Sequence, residues 1–172
     1  EIAEPDFIRQ ADVHEELLTI GSRFSKPIVA AVQGAVFGGA VALVASAHIV
    51  VAAEDAKFCS TEIHIGIWPY VAFRAIASAI GERRATELAL TGRVASAAEA
   101  YEWGLVHRVV PTDQLHEAAT RLAVQMEAFD ADALQLLTQK PKWGKSVRLL
   151  ACGPFQPASR RAGDLEWKQL VG

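Results

Sequence analysis

The residues whose types and spacing could do chemistry are the pair Gly38-Gly39, and Glu62 beside His64. The first offers bare backbone for an anion and the second two candidate metal ligands, where Glu62 by itself reads as a solvated surface carboxylate. Two glycines between a strand pattern and a helix pattern leave bare backbone, and the first N–H groups of a helix are unpaired at its positive dipole end. Such a corner can hold an anion or a developing oxyanion; the same glycines would also serve tight packing of helix on sheet. No Gly-x-Ser-x-Gly elbow is present, so acyl-enzyme chemistry at this turn has no nucleophile. No Gly-Lys-Ser/Thr follows the glycines and their spacing does not fit a dinucleotide fingerprint. Glu62 alternates with His64, and on an extended segment the two would face one side. The five histidines, at 14, 48, 64, 107 and 116, contain no His-x-x-x-His pair, and two ligands do not make a metal site, so none is expected.

The elements that must position these residues follow from periodicity and punctuation. Helix is expected from Pro5 to about Gly21, strand from Ile28 to Gln33, a turn from Gly34 to Gly39, and a short helix of small residues from Ala40 to Ala47. Strands are expected over His48 to Ala53 and Lys57 to Ser60, with Glu54-Asp55 as the turn between them. Further helices are expected over Tyr70 to Ile80, Arg83 to Leu90, from the capping box Ser96-Ala97-Ala98-Glu99 to Gly104, along the apolar stripe Leu115 to Phe129, and from Ala131 to Gln139. Leu105 to Val110 is a strand candidate. Beyond Pro141 a helical stretch from Ala158 to Leu170 carries Arg160, Arg161 and Lys168, whose cations fit a solvated face. The run from Ile28 to Ala53 is long and apolar enough to invite a membrane reading, and Gly34-x-x-x-Gly38 is compatible with one. Its glycines and its closing Ile49-Val50-Val51 favour strand, helix and strand in a buried core instead.

The bulk properties agree with one folded domain. The chain has 172 residues, 51% hydrophobic and 22% charged, with 20 acidic and 17 basic side chains for a net charge of −3. A chain of this size buries roughly 70% of its unfolded surface and needs no disulfide or metal to close a core. The absence of a longer basic run than Arg83-Arg84 or Arg160-Arg161 argues against a nucleic-acid partner. Cys59 and Cys152, far apart and unpatterned, read as reduced thiols of a cytoplasmic protein. The opening Glu1-Ile2-Ala3-Glu4-Pro5 has neither an initiator Met nor a signal-peptide pattern, and a fragment of a longer chain is expected.

Read together, Lys26 to Gly34 (KPIVAAVQG), Gly38-Gly39-Ala40, Ala56-Lys57-Phe58, Glu62, Gly66-Ile67-Trp68-Pro69, Thr91-Gly92-Arg93, Gly104-Leu105-Val106 and Val109-Val110-Pro111 resemble in order the crotonase family, the enoyl-CoA hydratase/isomerase superfamily. The resemblance runs from about Lys26 to Gln139. It implies an α/β fold, a spiral of ββα units with a helical C-terminal region and the N-terminal part of the fold missing: residues 1–111 a partial core, residues 112–172 a helical region for oligomerisation, as homotrimers or dimers of trimers. It implies acyl-CoA thioesters as substrates, with coenzyme A part of the substrate and no separate cofactor, and no membrane partner. It implies that the Gly39 N–H, with Gly38 beside it, donates into an oxyanion hole. The second donor lies in the family on a loop upstream of the first helix, so a chain lacking that loop would be inactive.

Two departures from the family bear on the reaction. Hydratases of the family carry two glutamates; the second maps to Glu62, the first to Ala42. Hydration wants one group to activate water and another to deliver a proton, whereas moving a double bond needs a single base. A Δ3,Δ2-enoyl-CoA isomerase using Glu62 is therefore the expectation, with a hydratase, or a silent acyl-CoA-binding member, as alternatives. To act near neutral pH, Glu62 should be partly desolvated. The second departure is Tyr70, which stands where many members have Gly in a Pro-Gly-Ala-Gly-Gly loop; here the chain reads Trp68-Pro69-Tyr70-Val71-Ala72, and Trp68, Pro69 and Tyr70 are bulky. With Ala42 these would shape the acyl pocket, or Trp68 and Tyr70 would simply fill core space.

Overall fold

In a computed structural model the described residues are 13–138. The expected tail beyond Pro141, with Arg160, Arg161 and Lys168, lies outside them, as does the start of the first expected helix. From residue 13 that helix runs to residue 18 and closes in a single 3-10 turn, Ile20–Ser22.

Two successive strand-strand-helix units follow. The first is β1 (Val29–Val32), β2 (Ala35–Phe37) and α1 (Gly39–Ser46); the second is β3 (Ile49–Ala53), β4 (Lys57–Cys59), a 3-10 turn Glu62–Ile65 and α2 (Tyr70–Ile80). Corresponding strands stack in parallel, Val29 opposite Ile49 and Ala35 opposite Lys57, so first strands build one sheet and second strands another. The chain continues through α3 (Glu82–Thr91), β5 (Ala95–Ser96), α4 (Ala97–Glu102), β6 (Arg108–Val110), α5 (Leu115–Glu127) and α6 (Ala131–Thr138). β6 adds in parallel to β3, and β5 closes the second sheet antiparallel to β4.

Alternation along β3 explains how one strand serves two cores. Val50 and Ala52 join the main cluster with Val36, Val41, Phe58, Ile76 and Leu88, while Val51 and Ala53 join a smaller one with Leu115, Ala118, Ala119 and Leu122. Successive strand side chains point to opposite faces, so the apolar stripe of α5 covers the side of the sheet that the main core leaves bare. The long hydrophobic run is thereby divided among β1, β2, α1 and β3. No helix among the described residues is long and apolar enough to cross a membrane.

One expected turn is more than a turn. Between Gly34 and Gly39 the chain forms β2, whose three residues pair with β4 while the flanking Gly34 and Gly38 take positive φ values of 64° and 59°. A strand this short has too few residues to show a two-residue period, and its pairing partner is 22 residues away.

The α3 to α4 corner is held by charge and capping. Ser96 Oγ accepts from the Glu99 N–H, and Glu99 Oε2 accepts from the Ser96 N–H, completing the expected capping box. Arg93 donates to Glu87 at 2.6 Å and to Glu99 at 2.8 Å. The guanidinium carbons of Arg84 and Arg93 stand 5.3 and 5.1 Å from the ring centre of the buried Trp103, within cation–π range.

The Ser96 N–H first, and Arg93 next, hold the Glu99 carboxyl below the usual carboxylate range. A carboxyl whose folded-state pKa is depressed adds stability above its unfolded pKa of about 4.3 and loses it as pH falls through the folded value. Glu99→Gln is therefore expected to lower the urea midpoint at pH 7, with the gap from the parent closing at the acid end of a pH series. A gap that stays constant from about pH 2 to 7 would show that the Glu99 charge contributes nothing.

Candidate functional site

The two strand-strand-helix units bring Gly38, Gly39 and Glu62 to one spot. Because β2 and β4 are parallel neighbours, the segments leaving their ends lie side by side, and the Gly38 N–H donates to the Cys59 carbonyl at 2.8 Å. Gly38 adopts φ 59° and ψ −133°, a conformation that disfavours any side chain. A Cβ there would lie 3.0 Å from Thr61 Oγ1 and 3.4 Å from Glu62 Oε1. A side chain there would crowd Thr61, and the Glu62 carboxylate packs against this glycine at ordinary contact distance.

Gly39 is the first residue of α1, and among the described residues nothing accepts a hydrogen bond from its N–H. A free donor at a positive helix end therefore stands one residue from the carboxylate's seat. Glu62 itself is half-buried and opens the 3-10 turn; its Oε2 accepts from the buried Ser60 Oγ at 2.9 Å. One oxygen is oriented by a hydroxyl while the other is the one nearer Gly38.

The expected pairing of Glu62 and His64 on one side is corrected by that turn. Residues 62 to 65 are helical rather than extended, so the two side chains part: Glu62 goes to Ser60 and Gly38, whereas His64 Nε2 lies 3.0 Å from the Gly92 carbonyl. Cys59 Sγ also donates to that carbonyl, at 3.1 Å, and burial, then the Glu62 charge, pushes its thiol pKa up. Among the described residues no group of three or more His, Cys, Asp or Glu could hold a metal ion.

Ala42 lies in the core, whereas Trp68 and Tyr70 lie at the surface. Ala42, one turn into α1, is 0% exposed and enclosed by the main core, so a glutamate there would have to be buried. Trp68 and Tyr70 do not fill core space: they are 48% and 72% exposed, with Pro69 buried between them. Trp68 leans on Phe73 with ring centres 5.1 Å apart. Tyr70 lines a cavity of about 400 Å³ with Leu18, Thr19, Ser46, Val71 and Arg74, between the first helix, the end of α1 and the start of α2.

Sequence reasoning missed Ser60, Thr61 and the Gly92 carbonyl. The spacing Ser60-x-Glu62 offered a hint, since residues two apart on an extended segment can touch. The Gly92 contact had no local signal, because its partners lie 28 and 33 residues away.

The family model described as enoyl-CoA hydratase/isomerase matches residues 4–148. Mevalonyl-coenzyme A hydratase of Aspergillus fumigatus is 37% identical over 123 residues, 71% of this chain and 46% of that protein. A probable enoyl-CoA hydratase of Mycobacterium tuberculosis is 34% identical over 142 residues, 79% of this chain and 48% of that one. A crystal structure from Legionella pneumophila, assigned to the enoyl-CoA hydratase/isomerase (crotonase) proteins, superposes with a TM-score of 0.76 at 34% identity, covering 81% of this chain and 54% of that one. An enoyl-CoA hydratase structure from Mycobacterium smegmatis gives 0.75 at 25% identity, covering 80% and 54%. The chain spans about half the length of the curated relatives it matches. The stacked strand-strand-helix units, the glycine corner and these matches agree: the chain belongs to the enoyl-CoA hydratase/isomerase family of the crotonase superfamily.

Proposed function

We propose that the protein acts on acyl-CoA thioesters, with Glu62 as the proton carrier and the Gly39 N–H as an oxyanion donor, and that it moves a double bond from the 3 to the 2 position of an enoyl-CoA. The observation that carries this reading is the Glu62 carboxylate seated on Gly38 beside the free N–H of Gly39. In a 3-enoyl thioester the carboxylate takes a proton from C2, charge passes to the thioester oxygen, and the N–H stabilises it there. The same carboxyl returns the proton at C4, giving the 2-enoyl product. A preorganised donor aimed at developing charge can contribute about 3 kcal/mol to lowering the barrier. Coenzyme A arrives as part of the substrate, and no separate cofactor is called for.

The single carboxylate favours isomerisation over hydration, since Ala42 is enclosed and supplies no second acid. Hydration is the second reading, favoured by the relatives that carry hydratase names. The bulky and exposed Trp68 and Tyr70 support a role in shaping the acyl end of the site, with Pro69 fixing the chain between them. The family resemblance further supports a cytoplasmic homotrimer or dimer of trimers, to be tested by light scattering.

Incubation of the full-length protein with 3-enoyl-CoA and 2-enoyl-CoA thioesters, followed by chromatography and mass spectrometry, separates the readings. Isomerisation gives a new retention time at unchanged mass; hydration adds the mass of water to the 2-enoyl substrate. Glu62→Gln is expected to lower turnover at least about a hundredfold with thioester binding kept, and unchanged turnover would remove Glu62 from the reaction.

The seat of the carboxylate is testable without substrate. Gly38→Ala puts a methyl group 3.0 Å from Thr61 Oγ1 and forces a positive φ on alanine. A loss of about 1 to 3 kcal/mol in unfolding free energy is expected by urea denaturation. An alanine variant as stable as the parent would mean that the corner adapts.

A further inference from the structure

We propose that His64 is a positioning residue for Glu62, acting through the carbonyl oxygen of Gly92; the inference rests on Glu62 being the proton carrier proposed above. Two donors converge on that oxygen, His64 Nε2–H at 3.0 Å and Cys59 Sγ–H at 3.1 Å. They come from three residues before Glu62 and two residues after it, so the segment that bears the carboxylate is tied at both ends to one acceptor. A carbonyl only accepts and has two lone pairs, so Nε2 carries the proton and both donors are accommodated.

Gly92 is shaped for this contact. It takes φ +57°, and a Cβ there would lie 2.6 Å from His64 Nε2 and 2.7 Å from Ile63 Cγ2, so the imidazole occupies the space that a side chain would fill. The Gly92 N–H donates to the Leu88 carbonyl at 3.1 Å, fixing the acceptor to the end of α3.

Beyond the Ser60 bond to Glu62 and the packing of Glu62 on Gly38 and of Ile63 on Gly92, the Glu62–Ile65 turn is held by local bonds. None of its residues is buried, and its backbone bonds from His64 to Thr61, Gly66 to Ile63 and Ile67 to Glu62 are all local. Such bonds preserve the shape of the turn without fixing where it stands. On the far side of Glu62 from β4, the His64 bond spans 28 residues and ties the turn to α3. A catalytic group displaced by about 1 Å can lose a hundredfold in rate, so a restraint modest in stability can be large in turnover.

The test uses His64→Leu and His64→Gln in the full-length protein, alone and combined with Glu62→Gln, with 3-enoyl-CoA and 2-enoyl-CoA as probes. His64→Leu is expected to lower kcat about tenfold with KM within about twofold, and His64→Gln, whose amide N–H reaches to a similar distance, to recover most of the loss. In the Glu62→Gln background the leucine change should have no further effect, as expected of two residues acting as one unit. Unchanged kcat in His64→Leu, with Glu62→Gln inactive, would overturn the role of His64 and leave the proton carrier standing. An equal loss from leucine in both backgrounds would assign His64 to general folding and also overturn the proposal. Full activity of Glu62→Gln alone would instead remove the functional reading beneath it.

Discussion

The candidate site is organised around the backbone of Gly38, whose positive φ a side chain rarely permits. With no Cβ there, the loop after β4 packs against the loop after β2, Thr61 Oγ1 lying 3.0 Å and Glu62 Oε1 3.4 Å from the position a Cβ would take. The same residue turns the chain at φ 59° so that α1 begins at once, which leaves the Gly39 N–H unpaired beside the carboxylate. Conformational freedom and close approach are separate properties of glycine, and this corner uses both. The arrangement is therefore a consequence of strand stacking: β2 and β4 run parallel, their ends coincide, and an unpaired N–H and a carboxylate emerge as neighbours from segments more than twenty residues apart.

That stacking also accounts for the hydropathy that mimics a membrane span. β3 is the central strand of its sheet and presents Val50 and Ala52 to one core and Val51 and Ala53 to another. Strands covered on both faces have no polar side to display. The small residues of α1 complete the effect, since Val41, Ala42, Val44 and Ala45 let the helix lie close to the sheet and are buried with it.

How much of this was legible in the sequence follows the range of the interactions involved. The helix Tyr70–Ile80, the capping box at Ser96 and the division of residues 28 to 53 into strand, helix and strand rest on local periodicity and caps, and all are present. The strand Ala35–Phe37 was hidden because three residues carry no period, and pairing with β4 alone makes them a strand. Alternation misled at Glu62 and His64, where a 3-10 turn replaces the extended segment and separates the two side chains. Glu62 was picked out through the ordered family motifs; the Ser60 hydroxyl and the Gly92 carbonyl that surround its segment depend on tertiary contacts for which one sequence has no periodic signature.

The half-buried charge cluster at the α3 to α4 corner belongs to the same chain of causes. Arg93 follows Gly92 directly, and its guanidinium is gripped by Glu87 on α3 and Glu99 on α4 while lying over the Trp103 ring. Each of those contacts is partly solvent-screened and contributes little to stability by itself. Together they fix the backbone at which α3 ends, and so fix the Gly92 carbonyl in the place where Cys59 and His64 meet it. In the proposed role of proton carrier, Glu62 needs a frame stiffer than its own single turn of 3-10 helix. The Thr91-Gly92-Arg93 sequence supplies that frame by joining a helix end, an acceptor with no side chain in the way, and a cation tied on two sides.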